Sequence, residues 1–570
     1  MPARRISMVR IIKTVTFLTL ALSTLFFFGS GSALRAQGGP CWLLDSPFSE
    51  ILSGSGESAL VSACDASSST PSAQTENISQ ADLSYFVRSP LLASQPESNA
   101  NLLVNNLNED TPENTTQSET TVVVYGDTVM VGFIDTGNFL PRTPGVSSLS
   151  GLARSIDKGQ SFVEINKVPP NARALGISDP SLAVDRKGNF YISTIQQVPT
   201  SNGQESYMGV ARSIDGGATF SPSVLISGTG PVDQAFQDKE LIVADNTGGP
   251  YEGNVYMAWT EFDIGGSQVL LARSTDGGLT FSKPIVLSDG RNGVQGATPA
   301  VGPNGEVYVL WLSFGRTAEL KIRKSLDGGV TFEPEKIVAP FTVSSDATAS
   351  RNCGRRALKG NIRYLEIPSM AVDQSRSPTR GTVYVTYSSD RDGSSGPDVA
   401  DVYLARSPDG GDTWSAPLRV NDDNTQSDQF QPAVAVAKNG TVGLMYYDRR
   451  RDPENLNIDV FMARSTDGGQ TFEPNFKVTD RSFPVPPIGT NGRNFDNLRS
   501  ICYMGDYNQI AADNEAFYLV WGDNRMTIFT DRFPAPNGRP DPNVFFAKIP
   551  VQPGVSSVGP AIPKHSMQIP

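Results

Sequence analysis

Histidine is almost absent from this sequence: the single one, His565, lies close to the C-terminus. This leaves almost no material for Ser-His-Asp or Cys-His catalysis, for zinc held by histidines or for a histidine pH switch, because each of these needs imidazole groups. The four cysteines show no Cys-x-x-Cys spacing of the kind that indicates a metal site. Any catalysis must therefore use carboxylates, tyrosine, arginine or lysine.

Positive charge is also in the minority, with 47 Lys and Arg against 59 Asp and Glu, a net charge of −12. A negative surface repels phosphate backbones, so the charge predicts no nucleic-acid partner. The longest apolar run, 15–28, is shorter than the ~20 residues of a membrane-spanning helix. It follows a basic stretch and precedes small residues up to Ala36, which is typical of a secretory signal peptide over 1–36. The sequence predicts export to the periplasm, cell surface or exterior, with no stable membrane span.

Residues 37–100 are rich in Ser and Thr and contain only scattered apolar residues, which predicts a flexible segment. In an oxidising compartment the cysteines are expected to form disulfides. Four cysteines allow three connectivities, and the sequence does not choose among them. One connectivity gives the pairs Cys41–Cys64 and Cys353–Cys502.

One eight-residue string of the type Ser-x-Asp-Gly-Gly-x-Thr-aromatic occurs six times. The copies begin at Ser155, Ser213, Ser274, Ser325, Ser407 and Ser465. Each reads as a hairpin turn, because an Asp side chain accepts from nearby backbone N–H groups and glycine supplies positive φ. The six aspartates are therefore predicted to be structural, and each closing aromatic is predicted to pack between neighbouring sheets.

Short apolar strands precede every copy, and no segment shows a helical period. Units of about 60–75 residues with four strands each predict an all-β fold, a β-propeller of four-stranded antiparallel blades. Seven blades are favoured and six are the alternative. The propeller is expected to span 101–552, followed by a C-terminal tail over 553–570. The last unit lacks an outer strand, which 102–105 is expected to supply.

Antiparallel strands place the six turns at one pole of such a propeller and the long connections at the other, where a ligand site is expected. Acidic residues at the beginnings of inner strands face this second pole; they are Glu119, Asp179, Asp238, Glu240, Glu366 and Asp506. Three units also end their second strand with an acid beside an arginine, namely Arg391, Arg449 and Arg525. Two interpretations stay open: a central anion clamp ringed by carboxylates, or Asp–Arg ion pairs between neighbouring blades.

The octads resemble the Asp-box (BNR) repeat, and the chain from about residue 101 is similar to secreted bacterial sialidase-like proteins. The resemblance implies an exo-glycosidase with a Tyr nucleophile, a Glu that assists it, an Asp acid/base and three arginines that hold the substrate carboxylate. By position, it implies Asp135 as acid/base, Glu366 as assistant and Tyr507 as nucleophile. It also implies Arg391 and either Arg449 or Arg450 as clamp residues.

One departure bears on the activity. The family begins its first blade with Arg-Ile-Pro, whereas this chain has 117–120, Gln-Ser-Glu-Thr. No arginine is present there, and Glu119 would repel a substrate carboxylate; Arg142 or Arg525 would have to substitute. Two function classes therefore stay open.

The first class is a secreted sialidase-like glycoside hydrolase, and the second is a non-catalytic propeller that binds glycan or protein. A hydrolase that uses a pair such as Asp179 and Asp506, and a calcium-binding variant of the second class, also stay open. No Asp-x-Asp-x-Asp-Gly loop occurs, so no metal is predicted, and no cofactor is predicted either. The expected partner is a glycan or glycoconjugate.

Overall fold

We describe the fold from a computed structural model. The described residues are 40–53, 56–57, 60, 64, 101–108, 110–111, 114–137, 143–165, 167–201, 203–289, 293–390, 399–486, 496, 502–530 and 533–552. The predicted signal peptide and C-terminal tail lie outside these residues. No helix within the described part of the chain is long and apolar enough to cross a membrane.

The structure is a propeller of seven four-stranded antiparallel sheets, which confirms the predicted fold and the favoured blade count. Alternating apolar residues and β-branched side chains form the strands, and each unit adds them from the axis outwards. Blades one to three comprise, in order, β2–β5 (Gln117–Tyr125, Thr128–Asp135, Ser150–Ser155, Val163–Ile165), β6–β9 (Leu175–Val184, Phe190–Thr200, Gly203–Ser213, Val224–Ile226) and β10–β13 (Phe236–Ala244, Val255–Asp263, Gly266–Ser274, Ile285–Val286).

The second half of the ring repeats this order. Blades four to six comprise β14–β17 (Val294–Val301, Val307–Phe314, Ala318–Ser325, Lys336–Pro340), β20–β23 (Ser369–Val372, Val383–Ser389, Asp401–Ser407, Leu418–Arg419) and β24–β27 (Gln429–Val436, Val442–Asp448, Asp459–Ser465, Phe476–Lys477). Tryptophans of three second strands, Trp259, Trp311 and Trp521, are fully buried. Side chains of this size fill the space between adjacent sheets.

Blade seven closes the ring with strands from both ends of the propeller. Its inner three strands are β28 (Gln509–Ala512), β29 (Ala516–Ile528) and β30 (Arg539–Pro550), and its outer strand is β1 (Leu102–Leu103), where Leu102 pairs with Phe546. The prediction that the outer strand comes from residues after 101 is confirmed. Closure of this kind leaves no open sheet edge between the first and last blades.

The six aspartate turns have the predicted geometry. At Asp467, Oδ1 accepts from the Ser465 hydroxyl (2.7 Å) and from the backbone N–H groups of Gln470 and Thr471, and Oδ2 accepts from the Thr471 hydroxyl (2.6 Å). The other five turns repeat this set of bonds. Hydrogen bonds from Ser155 and Ser161 lower the pKa of Asp157 to about 2. These contacts confirm that the aspartates are structural.

The turns lie at one pole and the candidate site at the other. In blade six, Ser465 pairs with Val442 at one end of the second strand, whereas Asp459 pairs with Asp448 at the opposite end. The same polarity holds in blade one, where Ser155 pairs with Val129 and Ser150 with Ile134. The aspartate turns are therefore separated from the strand ends that carry the acid–arginine pairs, as the topology predicted.

Asp467→Ala tests the structural role of these turns. We expect a loss of about 1–2 kcal/mol in the free energy of unfolding, because four hydrogen bonds to a half-exposed carboxylate disappear. Denaturant unfolding measures the change, with the exposed Asp233→Ala as a matched control that should be near zero. Equal effects of the two substitutions would contradict the structural assignment.

A long connection between blades four and five carries extra structure. It contains α1 (Ala347–Cys353), whose N-cap Asp346 accepts from two backbone N–H groups, and the hairpin β18–β19 (Ala357–Leu358 and Ile362–Arg363). The disulfide Cys353–Cys502 joins this connection to the loop before blade seven. Cys41–Cys64 is the other disulfide, so the pairing that sequence left open is resolved.

Residues 40–53 fall in the segment expected to be flexible, and here the structure differs from the expectation. They form two short 3-10 helices, Pro40–Asp45 and Pro47–Ile51. Leu43 and Leu52 are fully buried, and the Phe48 ring lies 6.5 Å from that of Phe262 in blade three. The composition predicted flexibility because the segment has few apolar residues. These few are enough to order residues 40–53, because the propeller already provides an apolar surface for them to pack against.

Candidate functional site

The inner strands of several blades contain a bulge at the same position, next to the axis. At this position the pairing register between the inner and second strands shifts in blades one, two, three, four and six. Four of these bulges hold non-glycine residues with positive φ, namely Glu119 (49°), Asp179 (55°), Lys239 (52°) and Gln431 (49°), while blade four has Gly296. Positive φ in such residues stores backbone strain of about 1–3 kcal/mol each, and strain of this kind concentrates at functional sites.

The bulges bring acidic side chains and a lysine together with Tyr507 on the axis. The Glu119 carboxylate accepts from the Tyr503 hydroxyl (2.8 Å) and from the backbone N–H of Asp506 (3.2 Å). The Lys239 ammonium lies 3.5 Å from the centre of the Tyr507 ring. We call Glu119, Asp179, Asp238, Lys239, Glu240, Tyr503, Asp506 and Tyr507 the axial cluster; all of its members are buried.

Several polar atoms of the axial cluster are buried without a hydrogen-bond partner. Both carboxylate oxygens of Glu240 are in this state, as are one oxygen of Glu119 and the Lys239 ammonium. An unsatisfied buried polar group costs about 1–3 kcal/mol, and a charged one costs more. A cluster selected for stability would not retain such groups, so this arrangement indicates a functional role.

Burial and repulsion from neighbouring carboxylates favour the neutral forms of three acids of the cluster, Glu119, Asp238 and Glu240. Burial first, and then the charge of Asp179, raise the pKa of Glu240 well above its ordinary value and that of Asp238 to about 7. Burial, Asp179 and Asp506 do the same to the pKa of Glu119. Carboxylic acids that keep their protons near neutral pH are suited to donate them.

Tyr507 is a weak acid in this environment. Burial first, and then the negative charge of Glu119, raise its pKa well above the ordinary value. Its hydroxyl donates to the Pro180 carbonyl at 3.1 Å. The phenol is therefore protonated at rest, and any nucleophilic role requires a base that takes its proton in the reaction.

Two arginines lie at the mouth of the axial cluster. Arg363 is buried and pairs with Asp506 at 2.7 Å. Arg355 and Arg363 both pair with Glu57, which comes from the N-terminal segment. Both arginines also donate to the Leu52 carbonyl, at 3.0 and 3.1 Å. The mouth is thus covered by residues of the segment before the propeller.

The ring of carboxylates predicted from the inner strands is present, with one member in a different place. Glu119, Asp179, Asp238, Glu240 and Asp506 belong to the axial cluster. Glu366 instead accepts from the Ser344 N–H (2.8 Å) and pairs with Arg356 (3.0 Å). The structure therefore does not bring Glu366 to the Tyr507 hydroxyl, and Glu119 is the carboxylate that acts most strongly on Tyr507.

Asp135, the acid/base implied by the resemblance, lies outside the axial cluster. It is buried at the end of β3, where it pairs with Lys167 and accepts from the Gln117 amide (3.2 Å) and the Gly137 N–H (3.0 Å). Nearby Asp110 has its pKa raised to about 8 by burial and by the charge of Asp541. Within the described residues, no contact joins Asp135 to Tyr507.

The arginines implied as clamp residues form local ion pairs where the structure describes them. Arg449 pairs with Asp428 at 3.3 Å and donates to the Lys359 carbonyl. Arg525 pairs with Asp523 (2.6 Å) and with Asp480 on the connection from blade six. The pairs with Asp428 and Asp523 each lie within one blade, and only the pair of Arg525 with Asp480 links a blade to the connection from its neighbour. Arg391 and Arg142 lie outside the described residues.

Sequence reasoning missed Lys239, Tyr503, the arginine pair at the mouth and Glu57. Lys239 had a usable signal, because it stands between two acids, Asp238 and Glu240, at the beginning of an inner strand. Arg355 and Arg363 lie in a non-repeating connection, and Glu57 lies about 300 residues earlier in the chain, so no spacing links them. Among the described residues, no group of three or more acidic, Cys or His side chains is arranged to hold a metal ion.

The sequence matches no protein-family model, and no curated protein matches it. Solved structures with a similar fold do exist. They include a Hadza microbial sialidase (15% identity, 72% of this chain and 74% of that chain covered, TM-score 0.38) and an α-L-arabinofuranosidase from Fusarium graminearum (13%, 64% and 97%, 0.39). An ulvan lyase is a third (10%, 78% and 97%, 0.42).

Proposed function

We propose that the axial cluster is a glycan site and that the protein is a glycoside hydrolase. The observation that carries the proposal is the set of buried carboxyl groups beside Tyr507, which have raised pKa values and unpartnered oxygens. Cleavage of a glycosidic bond needs a neutral acid, a second carboxylate and a nucleophile or a water within one cluster. The axial cluster contains groups of all these types.

In the proposed reaction, Glu240 donates its proton to the glycosidic oxygen as the bond from that oxygen to the anomeric carbon breaks. Glu119 reacts as the carboxylate, a form that the charge of Lys239 and the hydrogen bond from Tyr503 favour. It takes the proton of Tyr507, whose oxygen then bonds to the anomeric carbon. Water subsequently displaces the tyrosine oxygen; its proton passes to the Glu240 carboxylate, and Tyr507 regains its own proton from Glu119. The positive charge of Lys239 lowers the pKa of both glutamates. It therefore stabilises the ionised glutamate at each stage, which is Glu119 before the attack by Tyr507 and Glu240 after it.

The test is turnover of fluorogenic aryl glycosides of neutral and acidic sugars, a sialoside among them, by the purified full-length protein. We expect release of the fluorophore from at least one substrate, with saturation kinetics. Binding to immobilised glycans without release from any substrate would overturn the hydrolase and favour the binding propeller. Failure of both assays would overturn the glycan site itself.

Export belongs to the same proposal. Two disulfides, Cys41–Cys64 and Cys353–Cys502, support an oxidising destination such as the periplasm, the cell surface or the exterior. The proposed signal peptide is 1–36. Mass spectrometry of the protein recovered from its host should show an N-terminus after Ala33 or Ala36, and an intact N-terminus would contradict export by cleavage.

A further inference from the structure

The N-terminal segment that covers the mouth of the axial cluster is a closed loop of its own. Cys41 and Cys64 bridge its two ends, and the remaining two cysteines bridge each other within the propeller. No disulfide therefore joins this loop, residues 41–64, to the blades. Its only covalent connection to the propeller is the chain 65–100, which is rich in Ser and Thr.

Residues 50–53, 56 and 57 of the loop lie against the mouth of the axial cluster, and we call the charged groups that they contact, Asp238, Arg355 and Arg363, the rim. The Ser53 N–H donates to the Asp238 carboxylate (2.7 Å), and so does the Ser53 hydroxyl (2.5 Å). Glu57 lies between Arg355 and Arg363, and the Ile51 carbonyl accepts from the Gln295 side chain (2.8 Å). A Cβ atom at Gly56 would clash with the Asp238 carboxylate, so glycine is what lets the backbone approach the rim this closely.

The loop leaves the groups below the rim without partners. Glu240 and the Lys239 ammonium are buried, and no atom of the described loop residues forms a hydrogen bond with them. If the loop served only to stabilise the fold, we would expect it to form hydrogen bonds with these groups, because each buried polar group without a partner lowers the free energy of unfolding. The loop instead matches the rim, where a Glu57 carboxylate fills a site built from two arginines.

We propose that residues 50–53, 56 and 57 are an internal competitor that occupies the ligand's place, and that cutting the chain between 65 and 100 opens the axial cluster. The proposal rests on the axial cluster being the functional site, but not on the reaction that occurs there. In the intact chain the loop is tethered, so its effective concentration is about millimolar. Once it is cut free and diluted to nanomolar protein, only an affinity of nanomolar or better would retain it.

The experiment places a site-specific protease sequence within 65–100 of the full-length protein and measures the amine labelling of Lys239 by mass spectrometry. Lys239 is fully buried when the loop is in place. We expect its labelling to be at least tenfold faster after cleavage and dilution, while the exposed Lys187 is labelled at an unchanged rate. Turnover or binding of the glycan should rise by a similar factor.

A matched pair of variants identifies the contact that holds the loop. Glu57→Gln removes the charge between the two arginines and should speed release of the cut loop at least tenfold. Glu50→Gln makes the same charge change on an exposed side chain of the same loop and should have no effect. Equal release rates for the two variants would show that the arginine pair does not hold the loop.

The outcomes separate this proposal from the proposed function. Labelling of Lys239 after release, without glycan binding or turnover, would support masking and overturn the glycan function. Equal turnover before and after cleavage, with Lys239 still protected, would overturn masking and leave the glycan function standing. A propeller that unfolds when the loop leaves, as seen by circular dichroism at the same temperature, would also overturn masking, because the loop would then be structural.

Discussion

Tyr507→Phe is expected to lower the rate of glycoside cleavage by about 10³-fold while the propeller stays folded. The substitution removes only the hydroxyl, whose pKa is raised by burial and then by the charge of Glu119. Its single hydrogen bond goes to the Pro180 carbonyl, so the loss of stability should be about 1 kcal/mol. The rate should fall much further than the stability.

Glu119→Gln should share this loss of rate, because the proposed base for Tyr507 disappears. Tyr191→Phe is the matched control: it removes the hydroxyl of another buried tyrosine, bonded to Asp185 at the pole of the aspartate turns. The control should keep its turnover within about twofold of the unmodified protein. A Tyr507→Phe protein as active as the control would contradict the role assigned to Tyr507.

Arg363→Met is expected to lower the free energy of unfolding by about 3–5 kcal/mol, the largest stability effect that we predict. Arg363 and Asp506 are both almost fully buried and pair at 2.7 Å. Without the arginine, Asp506 remains as a buried carboxylate near Glu119, whose charge it already opposes. The Leu52 carbonyl and Glu57 also lose a donor.

Denaturant unfolding measures this loss, and a second substitution separates its causes. Arg363→Met combined with Asp506→Asn should recover part of the stability, since no buried charge is then left alone. Lys158→Met breaks a more exposed pair with Glu515 and should cost less than 1 kcal/mol. An Arg363→Met loss as small as that of Lys158→Met would contradict the importance of the buried pair.

The sequence predicted the fold because its signals are local and repeated. Each aspartate turn needs only eight consecutive residues, and six copies fix the position of the third and fourth strands of six blades. Strand alternation then places acids such as Glu119 and Asp179 at the beginnings of inner strands. Antiparallel topology brings these beginnings to the axis, so the ring of carboxylates was also predictable.

The arginines were not predictable in the same way. Arg525 pairs with Asp523, two residues before it in the chain. The sequence motif alone does not distinguish such an ion pair from an arginine that binds a ligand. The arginines that face the axial cluster, Arg355 and Arg363, lie in a connection that follows no repeat. Their partner Glu57 comes from a segment whose composition predicted flexibility, and only the folded structure brings these residues together.

The free energy of unfolding of Glu240→Met, compared with that of the unmodified protein at pH 5 and pH 8, tests most directly whether the axial acids are kept for function. A carboxyl with a raised pKa contributes stability at low pH that is lost as the pH rises through that pKa, so the unmodified protein should be less stable at pH 8. Glu240→Met should then gain about 1–3 kcal/mol at pH 8, gain less at pH 5, and lose glycoside cleavage. A variant that loses about 2 kcal/mol or more at both pH values would contradict the account, because Glu240 would then be part of the structural core.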